Sequence, residues 1–581
     1  MAGGVRMTTA DASTDLGLIP GADGPRRGGT LTLVGAGDVD HLDPALAYHT
    51  VTRGIVRAYT RQLVTYPSTR DHRRAGDLVP DLAVAADGPY DAEGRRYRFT
   101  LRDGLRWDLP NGPRPLTAAD VVRGIKRLAH PMAPSPGLPY YLSTVEGLAE
   151  FRDDLLTLPR DLNVVAPYLE AAEVPGLRVL DDRTVELITR RPTSDFLNLL
   201  ALPFASPAPE EYLWFVPGSP ELDQRLGSIG PYRITAYEPD RLITLERSRT
   251  WDPATDPVRA AHVDRIEVRQ GLDEKTCHDM VILGDADMLW DIQPLTERLP
   301  EMFAAGDPRL EVCPAGLFSP YLVINVLSPN EGGALGRREV REALQYAIDK
   351  TAVAEVWGGR RLNDIAEQIL PPLCRAHRPF APYAANDGAG DPELARRLLA
   401  DAGYPDGLTL KLVYRDRDIH PETARVVRSA AARAGITLDL VPAGITELFG
   451  TYLGRADGAR EGRWDVALSG WEPDWHGNNA RVYLQALFDS SGVSGNDDWG
   501  SNFGHYHNEV VNEHIDAALS CADERAANEH WRAAEREVLR DCAVVPILFA
   551  HQYWLRGHRV RNWLPYPVLN GDLTNLWLGE D

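Results

Sequence analysis

Residues Leu408 to Leu468 constrain the fold more than any other stretch. Leu408, Leu410 and Leu412 alternate with other residues as on a strand, Glu422 to Arg433 is helical in pattern, and Ile436, Leu438 and Leu440 alternate again. Glu447 to Leu453 then reads as a helix and Trp464 to Leu468 as a buried strand. Short strands joined by helices predict parallel pairing through right-handed crossovers, hence a doubly wound α/β lobe. Ligands of such sheets bind beyond the carboxyl ends of the strands, which directs attention to the loop Ser469-Gly-Trp-Glu-Pro-Asp-Trp475. Upstream, Arg338 to Lys350 places Val340, Leu344, Ala347 and Ile348 on one helical face. Asp391 and Pro392 open a further helix as N-cap and first residue, and Gly403 closes it.

The first half has a different pattern. Thr30 to Val34 fits a buried strand, and Gly35, Gly37, Asp38, Asp43 and Pro44 force a loop after it. Arg53 to Tyr66 is expected to be helical, Tyr97 to Leu101 belongs to a β-meander, and Thr117-Ala-Ala-Asp120 is a capping box for a helix from Ala118 to His130. Strands are expected at Thr184 to Leu187, Tyr232 to Tyr237 and Leu242 to Glu246. A chain of 581 residues exceeds what one core serves, so two to four domains are expected. Residues 1–28 lack periodicity and read as a tail.

Several function classes are excluded. With 62 Lys and Arg against 84 Asp and Glu, the net charge of −22 opposes nucleic-acid phosphates and anionic membranes. Apolar runs such as Leu197 to Ala205 and Ala543 to Ala550 fall short of the ~20 residues that span a bilayer. Met1 to Gly29 offers neither an apolar signal core nor a lipid-accepting cysteine, so the chain as written is expected in the cytoplasm, or at the cell surface if a leader is missing. Five scattered cysteines signal buried thiols, not a disulfide framework or a zinc site. The sequence contains no GxxxxGK[ST], GxSxG, HExxH or EF-hand pattern. Gly35-Ala-Gly37 runs into Asp38, Asp40 and Asp43, which would repel a pyrophosphate. No cofactor, metal or catalytic residue is expected.

Some residues carry two readings. His505-Tyr-His507, with His476, His514 and Asp474, could be a metal cluster, but the spacing fits a solvated loop better. Trp471, leaving a strand end, suits a pocket wall or the core, and Trp499 suits the core or its rim. Asp474 is either a countercharge for a cationic group or an N-cap for the segment starting at Asn478. Tyr140-Tyr141 reads as structural.

The order of segments resembles the family 5 extracellular solute-binding proteins, the peptide and nickel binders of ABC importers. The resemblance runs from Gly28-Gly-Thr-Leu-Thr-Leu33 and Leu42-Asp-Pro44 through Leu78-Val-Pro-Asp-Leu82, Tyr97 to Trp107 and Leu116 to Val121. It continues through Gly230 to Ile234, Leu245-Glu-Arg247, Trp251-Asp252 and Gly284 to Asp287, then Asn325, Val340 to Leu344, Ala347-Ile-Asp349 and Ala395 to Tyr404. It implies an α/β bilobal periplasmic-binding-protein fold with a ligand cleft between lobes. Lobe I would span 29–313 and 546–581, with a sub-domain near 80–192, and lobe II 314–545. Gly316 to Pro320 and Val544 to Pro546 would be the hinges.

By the same resemblance, Asp474 in Gly470-Trp-Glu-Pro-Asp474 would hold a peptide's α-ammonium. Trp471 and Trp475 would lie beside it, and Asp38, Val39, Asp40, His41 and Tyr141 would contact the ligand. An arginine that some oligopeptide binders carry three residues before the tryptophan is Leu468 here, and no cysteine pair follows between Phe488 and Tyr506. The implied function is monomeric, non-covalent capture of a peptide or peptide-like ligand for an ABC permease. The alternative is a cytoplasmic member repurposed as a carrier or enzyme for a peptide-like natural product, with acid–base or cyclisation chemistry among Asp38, Asp40, His41, Asp474 and His476.

Overall fold

A computed structural model describes residues 24–493, 499–566 and 571–580; most of the expected N-terminal tail lies outside these. The chain divides into two compact units: one runs to Glu311 and resumes at Trp554, the other is Val312–Tyr553. Both crossings fall inside strands, Leu310–Ile324 and Leu548–Leu555. Val544–Pro546, expected as a hinge, is instead a strand within the second unit, paired antiparallel through Tyr321↔Pro546 and Val323↔Val544. The expected break at 545/546 therefore falls at 553/554, because Leu548–Leu555 continues the sheet before leaving it.

The second unit is built on a mixed sheet in the order Asn363–Ile365, Leu548–Leu555, Leu310–Ile324, Val466–Trp471, Leu408–Arg415, Ile436–Ala443. The three strands of the expected β-α-β-α-β series are parallel, with Leu408–Arg415 between the other two. The partner on their far side, Leu310–Ile324, runs antiparallel to Val466–Trp471. Alternation sends Leu322, Ile324, Leu410, Leu412, Leu438 and Leu468 into one core and Tyr321, Val323, Val413 and Ala467 into another, so both faces are covered. Asn325 locks the end of its strand by donating to the Ala459 and Trp464 carbonyls at 3.0 and 2.9 Å.

Helix ends follow local chemistry. Asp391 accepts from the Leu394 amide as the N-cap of Pro392–Asp401, and the Thr117–Asp120 capping box opens Ala118–Arg127. The helix expected over Arg53 to Tyr66 is Thr50–Tyr59, which stops early so that Val64–Thr65 can pair with Val79–Pro80. The stretch Glu447 to Leu453 forms a π-turn, Leu448–Leu453, after a short helix Ile445–Glu447.

In the first unit a five-stranded sheet runs Met288–Leu289, Thr30–Val34, Arg265–Arg269, Leu242–Arg247, Tyr232–Glu238. Residues near 80–192 carry a separate antiparallel sheet, Arg96–Thr100, Thr184–Ile188 and Leu177–Asp181. A buried four-charge network ties distant segments of this unit together. Arg259 donates to Asp81 at 2.9 and 3.1 Å, Arg61 donates to Asp81 at 2.8 Å, and Asp256 accepts from Arg259 at 3.3 Å and from the Trp251 indole at 3.0 Å. Burial opposes ionisation of Asp81, but Arg259 and Arg61 outweigh it and hold that carboxyl far below the usual range.

The second unit has an opposite case in Glu535. This buried carboxylate accepts the amides of Ile369 and Leu370 at 2.9 and 2.8 Å, and burial pushes its pKa up from 4.5 to about 7. Those amides, Gln368 and the charge of Arg536 act against the rise, and the Cys374 thiol lies near it. A raised carboxyl binds its proton more tightly in the folded state, so its stabilisation is complete below the unfolded value and is lost as pH rises through about 7. Chemical denaturation of wild type and Glu535→Gln across this window should show wild type losing roughly 3 kcal/mol relative to the variant. Parallel pH profiles would refute the assignment.

Candidate functional site

The loop after Val466–Trp471 leaves the carboxyl end of its strand, next to the crossover point of the parallel strands. Tight packing fixes it. A Cβ on Gly470 would meet Ser319 Oγ at 2.5 Å, and one on Gly316 would meet the His476 ring at 2.6 Å, so a larger residue at either position would displace its neighbour. The Tyr483 hydroxyl donates to the Gly316 carbonyl at 2.5 Å, and the Arg375 amide to the Gly477 carbonyl at 2.8 Å.

Within this loop Trp471 is half-buried; its indole N–H donates to the Val482 carbonyl at 2.9 Å and one face packs on the core. Trp475 is fully buried, and its indole N–H donates to the Asn478 carbonyl at 2.8 Å. Asp474 is 6% exposed. The next helix is Ala480–Phe488, with Asn479 at its N-cap position. Burial lowers the His476 pKa to about 4, leaving a neutral ring. Leu468, at the position where some oligopeptide binders carry arginine, is a buried core residue.

In the first unit the loop 35–43 is folded by acceptors that sequence spacing does not reveal. Asp291 accepts the amides of Ala36 and Gly37 at 2.8 and 2.6 Å, and a Cβ on Gly35 would collide with its Oδ1. Asp38 accepts from the Val39 amide, Gln270 Nε2, the Tyr237 hydroxyl and the Asp240 amide at 2.7 to 2.9 Å. Four donors fill a carboxylate, so Asp38 clasps the loop. Asp40 accepts the amides of Tyr48 and His49 at 2.7 and 3.0 Å ahead of the helix Thr50–Tyr59. Burial raises its pKa, but Thr52 and these amides prevail and lower it. Val39 is buried and His41 exposed beside Gly218. Asp223, unnoticed in the sequence, lies near this loop; burial first, then the charges of Asp43 and Asp38, push its pKa up to about 6.

Tyr141 is fully buried, its hydroxyl donating to the Leu199 carbonyl at 2.7 Å. The histidines considered for a metal separate: His505 is buried against Trp499, His507 Nδ1 pairs with Ser490 Oγ at 2.8 Å, and His514 faces His530. Among the described residues no three His, Cys, Asp or Glu side chains converge as metal ligands, and no helix is long and apolar enough to cross a membrane.

A family model described as bacterial extracellular solute-binding proteins, family 5 middle, matches residues 77–495. The periplasmic oligopeptide-binding protein OppA of Salmonella typhimurium is 25% identical over 504 residues, covering 83% of this chain and 81% of that protein. The dipeptide-binding protein of Escherichia coli is 26% identical over 494 residues, 82% and 81% of the two. Heme-binding protein A of Haemophilus influenzae is 24% identical over 508 residues, 84% and 82%. Among solved structures, clavulanic acid biosynthesis oligopeptide binding protein 2 is 28% identical with a TM-score of 0.81, covering 96% of each chain. The Helicobacter pylori DppA in complex with the peptide STSA is 18% identical with a TM-score of 0.70, covering 96% and 99%.

Proposed function

Because the chain belongs to the bacterial extracellular solute-binding proteins of family 5, we propose that it captures a peptide or peptide-like ligand without making or breaking bonds and passes it to an ABC-type importer. The observation that carries this reading is the run of oligopeptide- and dipeptide-binding relatives aligned over more than four fifths of both chains. Asp474 and Trp471 are the proposed ligand contacts in the second unit, and the exposed His41 with the backbone of residues 39–41 in the first. A carboxylate on a tightly packed loop at a strand's carboxyl end is a fixed countercharge for an ammonium, and a half-buried indole offers a flat apolar wall.

Native mass spectrometry of protein purified without denaturation, followed by sequencing of whatever dissociates, tests the reading. Peptides bound one per chain support it. A porphyrin as the sole bound species would overturn it; the relative named for heme makes this the control.

The likeness to an oligopeptide binder named for clavulanic acid biosynthesis favours, as a second reading, a peptide-like natural product as the cargo. That version also requires no catalysis: a bound compound released with its mass unchanged fits it, and a chemically altered product would point to an enzyme.

A further inference from the structure

The helices Glu509–Leu519 and Glu524–Arg540 form a hairpin in the second unit, carrying a histidine pair that lies outside the proposed ligand contacts. His514 and His530, one on each helix, are both half-buried, with Nδ1 atoms 3.4 Å apart and ring centroids 5.7 Å apart at 41°. Their backbones are held rigidly. Ile515, Ala518 and Leu519 from one helix share a core with Ala527, Trp531 and Ala534 from the other, and Asn508 and Asp523 cap the two starts with side-chain hydrogen bonds.

The separation of the two nitrogens is informative. At this separation the two imidazoles are within hydrogen-bond distance, one ring donating and the other accepting according to tautomer. Two nitrogens on one tetrahedral zinc, each at about 2.0–2.1 Å, stand about 3.3–3.4 Å apart from the bond angle alone. The same spacing matches two corners of a zinc tetrahedron, so a cation could replace the shared proton, and the half-buried position leaves the other corners to water.

We propose that His514 and His530 form a two-histidine site for a late first-row divalent cation, with zinc as the reference ion. Imidazole suits zinc, copper and nickel, and two neutral donors without thiolate or carboxylate make a reversible site of modest affinity. Nothing in this assignment depends on the peptide reading.

The test uses the full chain freed of any polyhistidine tag. Zinc chloride is titrated by calorimetry at neutral pH into wild type, His514→Gln and His530→Gln, with circular dichroism confirming that each variant is folded. Losing a ligand should cost at least what losing outer-shell support costs, so each variant is expected to bind about tenfold or more weakly. In parallel, diethyl pyrocarbonate labelling of wild type read by mass spectrometry should show zinc protecting His514 and His530 together. Zinc affinity unchanged in both variants, or protection confined to other histidines, would overturn the proposal; the labelling arm stands even if a variant misfolds.

Discussion

Replacing Asp474 by asparagine is expected to weaken binding of a free-amine peptide by roughly two to four decades, the counterpart of about 3 to 5 kcal/mol for breaking a desolvated ion pair. The substitution keeps shape and removes only charge. Asp474 is 6% exposed on a loop whose backbone is fixed by Gly470, Gly316 and Tyr483, so an ammonium there meets a carboxylate already held in place. Such a site does little reorganising on binding, and the lost charge appears almost entirely in the dissociation rate. Unfolding of the ligand-free variant should match wild type. If ligand-free stability falls instead while affinity holds, Asp474 serves the loop and the amine-binding role is refuted.

Arg259→Met is expected to destabilise the first unit by about 3 to 5 kcal/mol, because it leaves a buried carboxylate with half its compensation. Arg259 and Arg61 balance Asp81 and Asp256, all four side chains being almost wholly inaccessible. Removing one cation leaves a net negative charge in the interior. Asp81→Leu combined with Arg259→Met should recover part of the loss, since the pair disappears together. Urea unfolding followed by circular dichroism checks this. A wild-type midpoint for Arg259→Met would mean that water reaches the network, contrary to the packing described.

The α/β pattern was readable where strands alternate and helices carry caps. Leu408, Leu410 and Leu412, the Asp391–Pro392 start and the Thr117–Asp120 box each state a local preference that packing reinforces. The strand Leu310–Ile324 was not readable, because Pro314, Gly316 and Pro320 give it the appearance of a connection. Its antiparallel place in the sheet depends on partners more than 130 residues away, with Phe318 facing Trp471. The same distance hid the role of Asp38. Local pattern offers an acidic loop residue, whereas Tyr237, Asp240 and Gln270, which saturate it, arrive from other strands and turns. Sequence position did not reveal that the polar atoms of Tyr141, Trp471 and Trp475 are all bonded within the fold. Sheet topology alone directs attention to the loop at Trp471–Asp474, since a strand's carboxyl end is identifiable without knowing the ligand, whereas the role proposed for Asp474 rests on the family resemblance.

The central claim, capture of a peptide through its free amine, is tested most directly by calorimetric titration of the wild-type chain with matched peptides. Each would be used with a free and with an N-acetylated amino terminus. The account predicts saturable one-to-one binding of the free-amine form and a loss of two decades or more on acetylation, the same order as for Asp474→Asn. Equal affinity for both forms would contradict it.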